Sequence, residues 1–274
     1  MASQIHREPA VAGQFYPREP ERLRSVVREY MEASKVEAAP EQVEAIIVPH
    51  AGYMYSGPTA GFAYARIRGK KPERVVLLGA SHFELIPTAS VATRGAFVTP
   101  IGAFPIDEPF AEDLAKITRS GPVGPHDPEH SLEVQLPFLA EAAGIVPIVP
   151  VLFGGASPEW HASVGETLAE IMGDSDLVIA STDLSHRLNE EEANRIDHRT
   201  VEAVLSRDWG RLARGLATRR CSMCGGPAVI AAMSYSSARH ADSWTLLDYR
   251  TSAHASGNYG SVVGYAAISM ERTR

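Results

Sequence analysis

EAIIVPHAGYMYSG, residues 44–57, is the stretch that decides the fold of this chain. It begins as a run of apolar, mostly branched residues, the pattern of a strand buried on both faces of a sheet, and it ends in small, turn-forming residues around His50. Two later stretches repeat the pattern: RVVLLGASH (residues 74–82) and DLVIASTDLSH (residues 176–186). Because ligands bind beyond the carboxyl ends of strands in open α/β sheets, we expect the polar residues that follow these strands to meet at one edge: His50, His82, Asp183 and His186.

The order of apolar runs and helical patterns predicts a three-layer α/β/α sandwich with a central mixed β-sheet. The first two stretches would form a βαβ unit, whose helix begins at Ser56 as N-cap with Pro58 in its first turn. No composition break divides the 274 residues, so we expect a single domain, residues 1–274. Strands are predicted at residues 45–48, 74–78, 145–153 and 177–180, a hairpin within 85–105, and an antiparallel pair at the end of the chain. Helices are predicted at residues 20–33, 59–67, 108–118, 126–144, 159–172 and 227–235, and two more within 189–216.

Composition excludes several classes of protein. A net charge of −7 argues against nucleic-acid binding, which needs a basic surface. No apolar run approaches the roughly 18 to 20 residues of a membrane span, and the N-terminus is too polar for a secretory signal. The two cysteines stand three residues apart, which does not fit a disulfide framework. We therefore expect a soluble protein of the reducing cytoplasm, with no nucleic-acid or membrane partner.

His50 and His82 are the first candidates for chemistry. Imidazole is the commonest protein ligand for divalent transition metals. Either residue alone would more often be a turn residue or a buried structural histidine. Because both stand at equivalent positions at the ends of what we expect to be adjacent strands, a few ångströms apart, we favour their interpretation as parts of one site.

Asp183 and His186 stand three residues apart in STDLSH. If a helix follows the strand, both lie on one helical face. The carboxylate would then fix the tautomer of the imidazole and raise its basicity, which suits acid–base catalysis. The alternative is an aspartate that caps a helix, followed by a surface histidine.

His130 and Glu133 have the same spacing at the start of the predicted helix 126–144. Glu133 in a first turn would complement the helix dipole without any other role. Whether the pair faces the site stays open at this point, and His126 is expected outside it.

Cys221 and Cys224 in CSMC allow three interpretations. A structural zinc site lacks a second ligand pair, and a redox pair would directly follow a strand. We prefer the third interpretation, in which Cys224 precedes a helix that begins near residues 225–227. There the helix dipole and the neighbouring Arg219 and Arg220 would favour the thiolate, the form that binds metals or acts as a nucleophile.

Six motifs in this order resemble the Memo family over residues 7–269: PHAGYMYSG, LLGASH, EHSLEVQLPFL, STDLSH, CGGPAV and LLDYRTSAHASGNYGSVVGYAAIS. That family is similar in fold to class III extradiol dioxygenases, which are non-haem iron(II) enzymes. The resemblance implies that the metal ligands are His50, His82 and Cys224. It also places Asp183 and His186 in the same pocket, and His130 on a pocket histidine of the related dioxygenases.

One ligand departs from the dioxygenase pattern, because a thiolate stands where those enzymes use a carboxylate. Iron(II) is the expected metal, but the softer sulfur also suits copper or zinc. Ring cleavage therefore does not follow from the fold alone.

The expected function is a metal-dependent redox enzyme acting on a phenolic or related small substrate. His186 would be the general acid/base, Asp183 would orient it, and His130 would stabilise the substrate. One alternative is a metal-binding scaffold that recognises a partner protein or peptide through the same pocket, and another is a zinc hydrolase. Microbial members of the family often occur beside AMMECR1-like and radical-SAM proteins, so those are expected as partners on separate chains.

Overall fold

The computed structural model describes residues 6–273. Its strands are β1 (His6–Arg7), β2 (Val43–Val48), β3 (Val75–Ala80), β4 (Ala89–Val91), β5 (Ala96–Thr99), β6 (Gly102–Pro105), β7 (Ile148–Phe153), β8 (Leu177–Ser181), β9 (His186–Leu188), β10 (Ser243–Thr251) and β11 (Val262–Glu271). Its α-helices are α1 (Pro20–Ala33), α2 (Tyr53–Arg66), α3 (Glu108–Thr118), α4 (Leu136–Ala143), α5 (Pro158–Ile171), α6 (Glu190–Leu205), α7 (Trp209–Ala217), α8 (Gly226–Ala238) and α9 (Ala253–Ser256).

The main sheet is mixed and has the strand order β10-β11-β2-β8-β3-β7-β4. The four central strands β2, β8, β3 and β7 run parallel, whereas β10, β11 and β4 are antiparallel to their neighbours. Every residue of these central strands is buried, which explains their mostly apolar sequence. Glu44 in β2 is the buried charged residue among them, and Arg239 and Arg272 pair with it. Helix α2 packs on β2 and β11 together with α1 and α4, and α8 packs on β3 and β8 together with α5 and α7. The predicted α/β/α sandwich with a central mixed sheet is therefore confirmed.

The first two predicted strands are not neighbours in the sheet. β8 lies between β2 and β3 and pairs in parallel with both. The expectation that His50 and His82 follow adjacent strands was therefore wrong. The two histidines nevertheless meet at the carboxyl end of the sheet, with their ring centroids 5.1 Å apart in an edge-to-face contact.

Helix α2 begins earlier than predicted. It starts at Tyr53 after Gly52, so Ser56 lies inside the first turn and its hydroxyl donates to the carbonyl of Ala51 at 2.9 Å. Pro58 lies within the helix instead of in its first turn, where it removes one helical hydrogen bond. The predicted boundary was displaced because Ser56 before Gly-Pro has the pattern of an N-cap, although the helix has already begun at Tyr53.

The predicted helix at residues 126–144 is also shorter than expected. Only Leu136–Ala143 is α-helical, preceded by 3-10 turns at Gly124–His126 and Glu133–Gln135. Residues 127–132 between these turns form an irregular loop. The predicted hairpin exists as β5 and β6, and the predicted closing pair exists as β10 and β11.

A buried ion pair anchors the N-terminal segment to this loop. Arg7 contacts the Glu133 carboxylate at 2.6 Å, and the same carboxylate accepts from the Ala10 and Val11 amides and from the Tyr16 hydroxyl. Arg7 also donates to the carbonyl of Glu129 at 2.6 Å. Glu133 thus holds the N-terminal segment, which answers the question that the sequence left open for this residue.

Within residues 6–273, no helix combines the length and the apolar character that crossing a membrane requires. This agrees with the absence of a long apolar run in the sequence.

Helices α5 and α8 approach so closely that a glycine is required between them. A Cβ atom at Gly165 would lie 2.1 Å from the carbonyl oxygen of Ala231. We predict that Gly165→Ala lowers the free energy of unfolding by about 3 kcal/mol, because backbone atoms must move apart. Urea denaturation measures this change.

Gly155→Ala is the matched control, since a Cβ there meets no atom within 4 Å. It should leave the free energy of unfolding nearly unchanged. If Gly165→Ala instead stabilised the protein by the roughly 1 kcal/mol that helix propensity alone predicts, the close contact between the helices would be refuted.

Candidate metal centre

Three strand ends and one helix start deliver the polar side chains of the site. His50 follows β2, His82 follows β3, and Asp183 follows β8. Cys224 stands just before the N-cap Gly225 of α8, as its sequence context predicted. Because the parallel strands end at the same edge of the sheet, all four residues meet there.

Two imidazoles and one thiol converge at this edge. The ligand atoms of His50, His82 and Cys224 all lie within 4.8 Å of one another. The Cys224 Sγ atom lies 3.1 Å from His50 Nε2. His50 is only 2% exposed, whereas the His82 side chain is 27% exposed, so the cluster is reached from solvent on the His82 side.

Ser181 fixes the tautomer of His50. The Ser181 hydroxyl donates its single proton to the carbonyl of Ser131 at 2.6 Å, so it can only accept from the Gln135 amide and from His50 Nδ1, both at 2.9 Å. Nδ1 of His50 therefore carries a proton. The other ring nitrogen, Nε2, faces the thiol. Burial would lower the pKa of His50, but the negative charges of Cys224 and Asp183 raise it to about 9, so in the metal-free protein Nε2 also carries a proton. A metal would displace that proton and bind through Nε2.

Glu129 fixes the orientation of the His82 ring and keeps a proton on its Nδ1 atom. One carboxylate oxygen accepts from His82 Nδ1 at 2.9 Å and the other from the His82 backbone amide at 2.6 Å. Burial would raise the pKa of Glu129, but these hydrogen bonds from His82 lower it to about 2. The carboxylate is therefore ionised. Burial would lower the pKa of His82, but its hydrogen bonds to Cys224 and Glu129 raise it to about 10, so a metal would have to displace the proton on Nε2.

His130 completes a group of three histidines. Its ring lies 4.8 Å from the His82 ring in a stacked arrangement and 5.5 Å from the His50 ring. Burial, aided by the positive charge of His50, lowers the pKa of His130 to about 4. His130 therefore faces the site as a neutral imidazole.

Asp183 lies in the site, but its partner is not His186. One oxygen of the Asp183 carboxylate accepts from the His50 amide at 2.8 Å, and the Asp183 amide donates to Cys224 Sγ at 3.2 Å. The helix expected after residue 181 does not form, because the chain continues into β9, which pairs with β11. The predicted pairing of Asp183 and His186 on one helical face was therefore wrong.

His186 is exposed and lines a separate cavity of about 550 Å³ with Cys221 and Met223. No side-chain hydrogen bond links it to Asp183 or to the three converging ligands in the described residues. Its role as general acid/base stays a prediction. His126 lies outside the site, as expected: it is buried, and its Nε2 atom pairs with the Ser90 carbonyl.

The two cysteines have different environments. Both thiols are free, and Cys221 Sγ points to the Arg199 carbonyl at 3.8 Å while Cys224 faces His50. Burial would raise the pKa of the Cys224 thiol, but the charge of His50 and hydrogen bonds from His50 and His82 lower it to about 6. The predicted thiolate character thus arises from the histidines. The expected contribution of neighbouring arginines is not needed to explain it.

Sequence analysis missed the two residues that orient the histidines. Glu129 stands directly before His130 in PEHSLE, and the sequence there predicted a regular helix, which obscured its direction. Ser181 directly precedes Thr182 and Asp183, but only the position of β8 in the sheet brings its hydroxyl to His50. A search for them could have started from chemistry: a histidine that binds a metal usually donates its other ring N–H to an oxygen atom, so a carboxylate or hydroxyl was to be expected beside each candidate histidine.

The fold and this cluster define a class: an α/β/α sandwich with two oriented imidazoles and one thiolate at the carboxyl edge of its sheet. A family model described as Memo-like protein matches residues 7–269. The chain belongs to the Memo family, which confirms the resemblance seen in its motifs.

Several archaeal relatives are similar over nearly their whole length. A MEMO1 family protein of Archaeoglobus fulgidus is 37% identical over 265 residues, covering 96% of this chain and 98% of the relative. One of Methanopyrus kandleri is 34% identical over 282 residues, covering 98% and 100%. The crystal structure of an uncharacterised protein of Escherichia coli K12 aligns with a TM-score of 0.49 at 12% identity, covering 83% of this chain and 99% of that one.

The low pKa of Cys224 leads to a spectroscopic prediction. In metal-free Cys221→Ser protein, the ultraviolet absorbance of the thiolate should appear with rising pH at a midpoint of about 6. His50→Ala in the same background should move the midpoint upward, because the nearest positive charge is lost. A midpoint near the ordinary thiol value of 9.0 before the His50 change would contradict this electrostatic account.

Proposed function

We propose that this protein binds a divalent metal ion through His50, His82 and Cys224 and uses it for redox chemistry on a small molecule. The observation that carries the proposal is the convergence of two imidazole Nε2 atoms, each oriented by an oxygen on its other nitrogen, on one thiolate. Histidines oriented in this way are typical of metal ligands. A buried structural histidine would not need a second histidine and a thiolate opposite it.

The donor set fits iron(II), with copper and zinc as alternatives. Two imidazoles and a thiolate supply a mixture of borderline and soft ligands. Bound iron(II) would supply one-electron redox chemistry and coordination positions that the protein does not fill. The free thiols fit a reducing compartment, which supports the expected cytoplasmic location.

His130 is placed to bind a substrate beside the ligands. It is neutral at ordinary pH, so its ring can exchange a hydrogen bond with a bound hydroxyl group without carrying a charge. The ring of Phe15 lies 5.0 Å from it and that of Phe83 lies 6.0 Å from it. These rings offer an apolar surface to a flat substrate such as a phenol.

A non-catalytic scaffold is the second candidate function. Phe83 is 59% exposed and Leu85 is fully exposed, and both follow His82 at the open side of the cluster. Large exposed apolar side chains beside the cluster also suit a partner peptide. In that case the metal would hold the pocket together and no turnover would occur.

Metal content and oxygen consumption test the proposal together. Protein purified without oxygen or chelators should contain nearly one iron per chain, and iron should be lost in His50→Ala and Cys224→Ser. Cys221→Ser is the matched control and should retain it, since that thiol faces Arg199. Iron-loaded protein should consume oxygen with catechol or a related phenol, and His130→Ala should reduce the rate while iron content stays unchanged.

Other outcomes distinguish the alternatives. Stoichiometric zinc with activity that needs no oxygen would replace the redox proposal by a hydrolase. Bound iron with no oxygen consumption for any phenol tested would favour the scaffold. Equal metal content in wild type, His50→Ala and Cys224→Ser would refute the site itself.

Glu129 should control metal affinity without contacting the metal. Glu129→Gln keeps the shape of the side chain but removes the charge that holds His82, so we predict that affinity falls about 10- to 100-fold. Competition with a chromogenic chelator measures the affinity. Asp127→Asn is the control, since Asp127 is exposed and lies two residues away. Equal affinity of Glu129→Gln and wild type would show that Glu129 does not orient the ligand.

A further inference from the structure

A groove lined by arginines lies between α6, α7 and the loop that follows them. Arg199 comes from α6, Arg211 and Arg214 come from α7, and Arg220 comes from the loop. The groove has a volume of about 820 Å³, and Cys221 lies at its base. We call it the arginine groove. It contains none of the residues of the candidate metal centre.

Three arginines of this groove have no side-chain partner. In the described residues, the side chains of Arg199, Arg211 and Arg220 make no hydrogen bond or ion pair, whereas Arg7 pairs with a carboxylate at 2.6 Å. Unpaired arginines occur elsewhere on the surface too. The distinguishing feature here is that three of them line one groove together with Arg214.

The remaining charges do not neutralise the groove. Arg214 contacts Asp208 at 3.5 Å on the exposed surface, a distance typical of a weak pair. Glu202 is the acidic residue among those that line the groove. Four guanidinium groups against one lining carboxylate leave a local excess of positive charge.

The arginines come from three parts of the chain and still line one concavity: α6, α7 and the loop after α7. Burial raises the pKa of the Cys221 thiol, and a hydrogen bond with Thr200 and the charges of Arg211 and Arg199 oppose that rise.

We propose that the arginine groove binds a small molecule that carries a diphosphate group. Guanidinium groups match phosphate oxygens with paired hydrogen bonds, and several of them suit a ligand with several negative charges. The groove is concave and lies within the roughly 300–1,000 Å³ range of small-molecule sites. The net charge of the chain opposes a long nucleic acid, which needs an extended basic face. This site is independent of the proposed metal function.

Isothermal titration calorimetry with inorganic pyrophosphate tests the proposal on the whole protein at constant ionic strength. Wild type should bind one pyrophosphate per chain, and the double variant Arg199→Gln/Arg211→Gln should bind it at least about tenfold more weakly. Both side chains are exposed and unpaired, so the variant should fold normally, and thermal denaturation checks this. Titration with ADP shows whether a diphosphate within a nucleotide binds as well as the free anion.

Arg195→Gln is the matched control. Arg195 lies one turn from Arg199 on α6, is exposed, and does not line the groove. It should retain wild-type affinity for pyrophosphate. Equal weakening by Arg195→Gln would mean diffuse attraction to a basic surface and would overturn the site. Absence of pyrophosphate binding to wild type, or binding of an oligoglutamate peptide in its place, would also overturn it.

Discussion

The position of β8 between β2 and β3 is the constraint on which the site depends. Three parallel strands end side by side, and the middle one supplies the Ser181 hydroxyl that fixes the ring of His50. The rings of His50 and His82 still reach each other, with centroids 5.1 Å apart, although their strands are not paired. The same strand end continues into Asp183, whose backbone amide contacts Cys224. The central position of β8 therefore brings Ser181 to His50 and Asp183 to Cys224.

The N-terminal segment holds the loop before α4, and that loop in turn positions a side chain of the candidate metal centre. Arg7 joins the Glu133 carboxylate and the Glu129 carbonyl, and Glu129 in turn binds His82. A buried carboxylate is costly unless its hydrogen bonds are complete, and Glu133 accepts from four groups of the N-terminal segment. The N-terminal segment is thus a structural support of the site, although it contributes no metal ligand.

Much of the fold followed from the sequence, because buried parallel strands have unbroken apolar runs that need no tertiary information. Strand order did not follow, since β2, β3 and β8 have equivalent patterns and only packing decides which is central. The candidate ligands were found from their positions at strand and helix ends. Glu129 was missed because its loop resembles a helix in sequence. His186 was paired with Asp183 because the sequence contains no pattern that predicts the turn into β9 after residue 183.

The central claim is that one thiolate and two imidazoles bind a single metal ion. X-ray absorption spectroscopy of protein loaded with one equivalent of zinc tests it most directly, because sulfur and nitrogen ligands differ in distance. The account predicts one sulfur at about 2.3 Å and imidazole nitrogens at about 2.0–2.1 Å, with the sulfur lost in Cys224→Ser. A spectrum of the wild type that contains only nitrogen and oxygen ligands would contradict it.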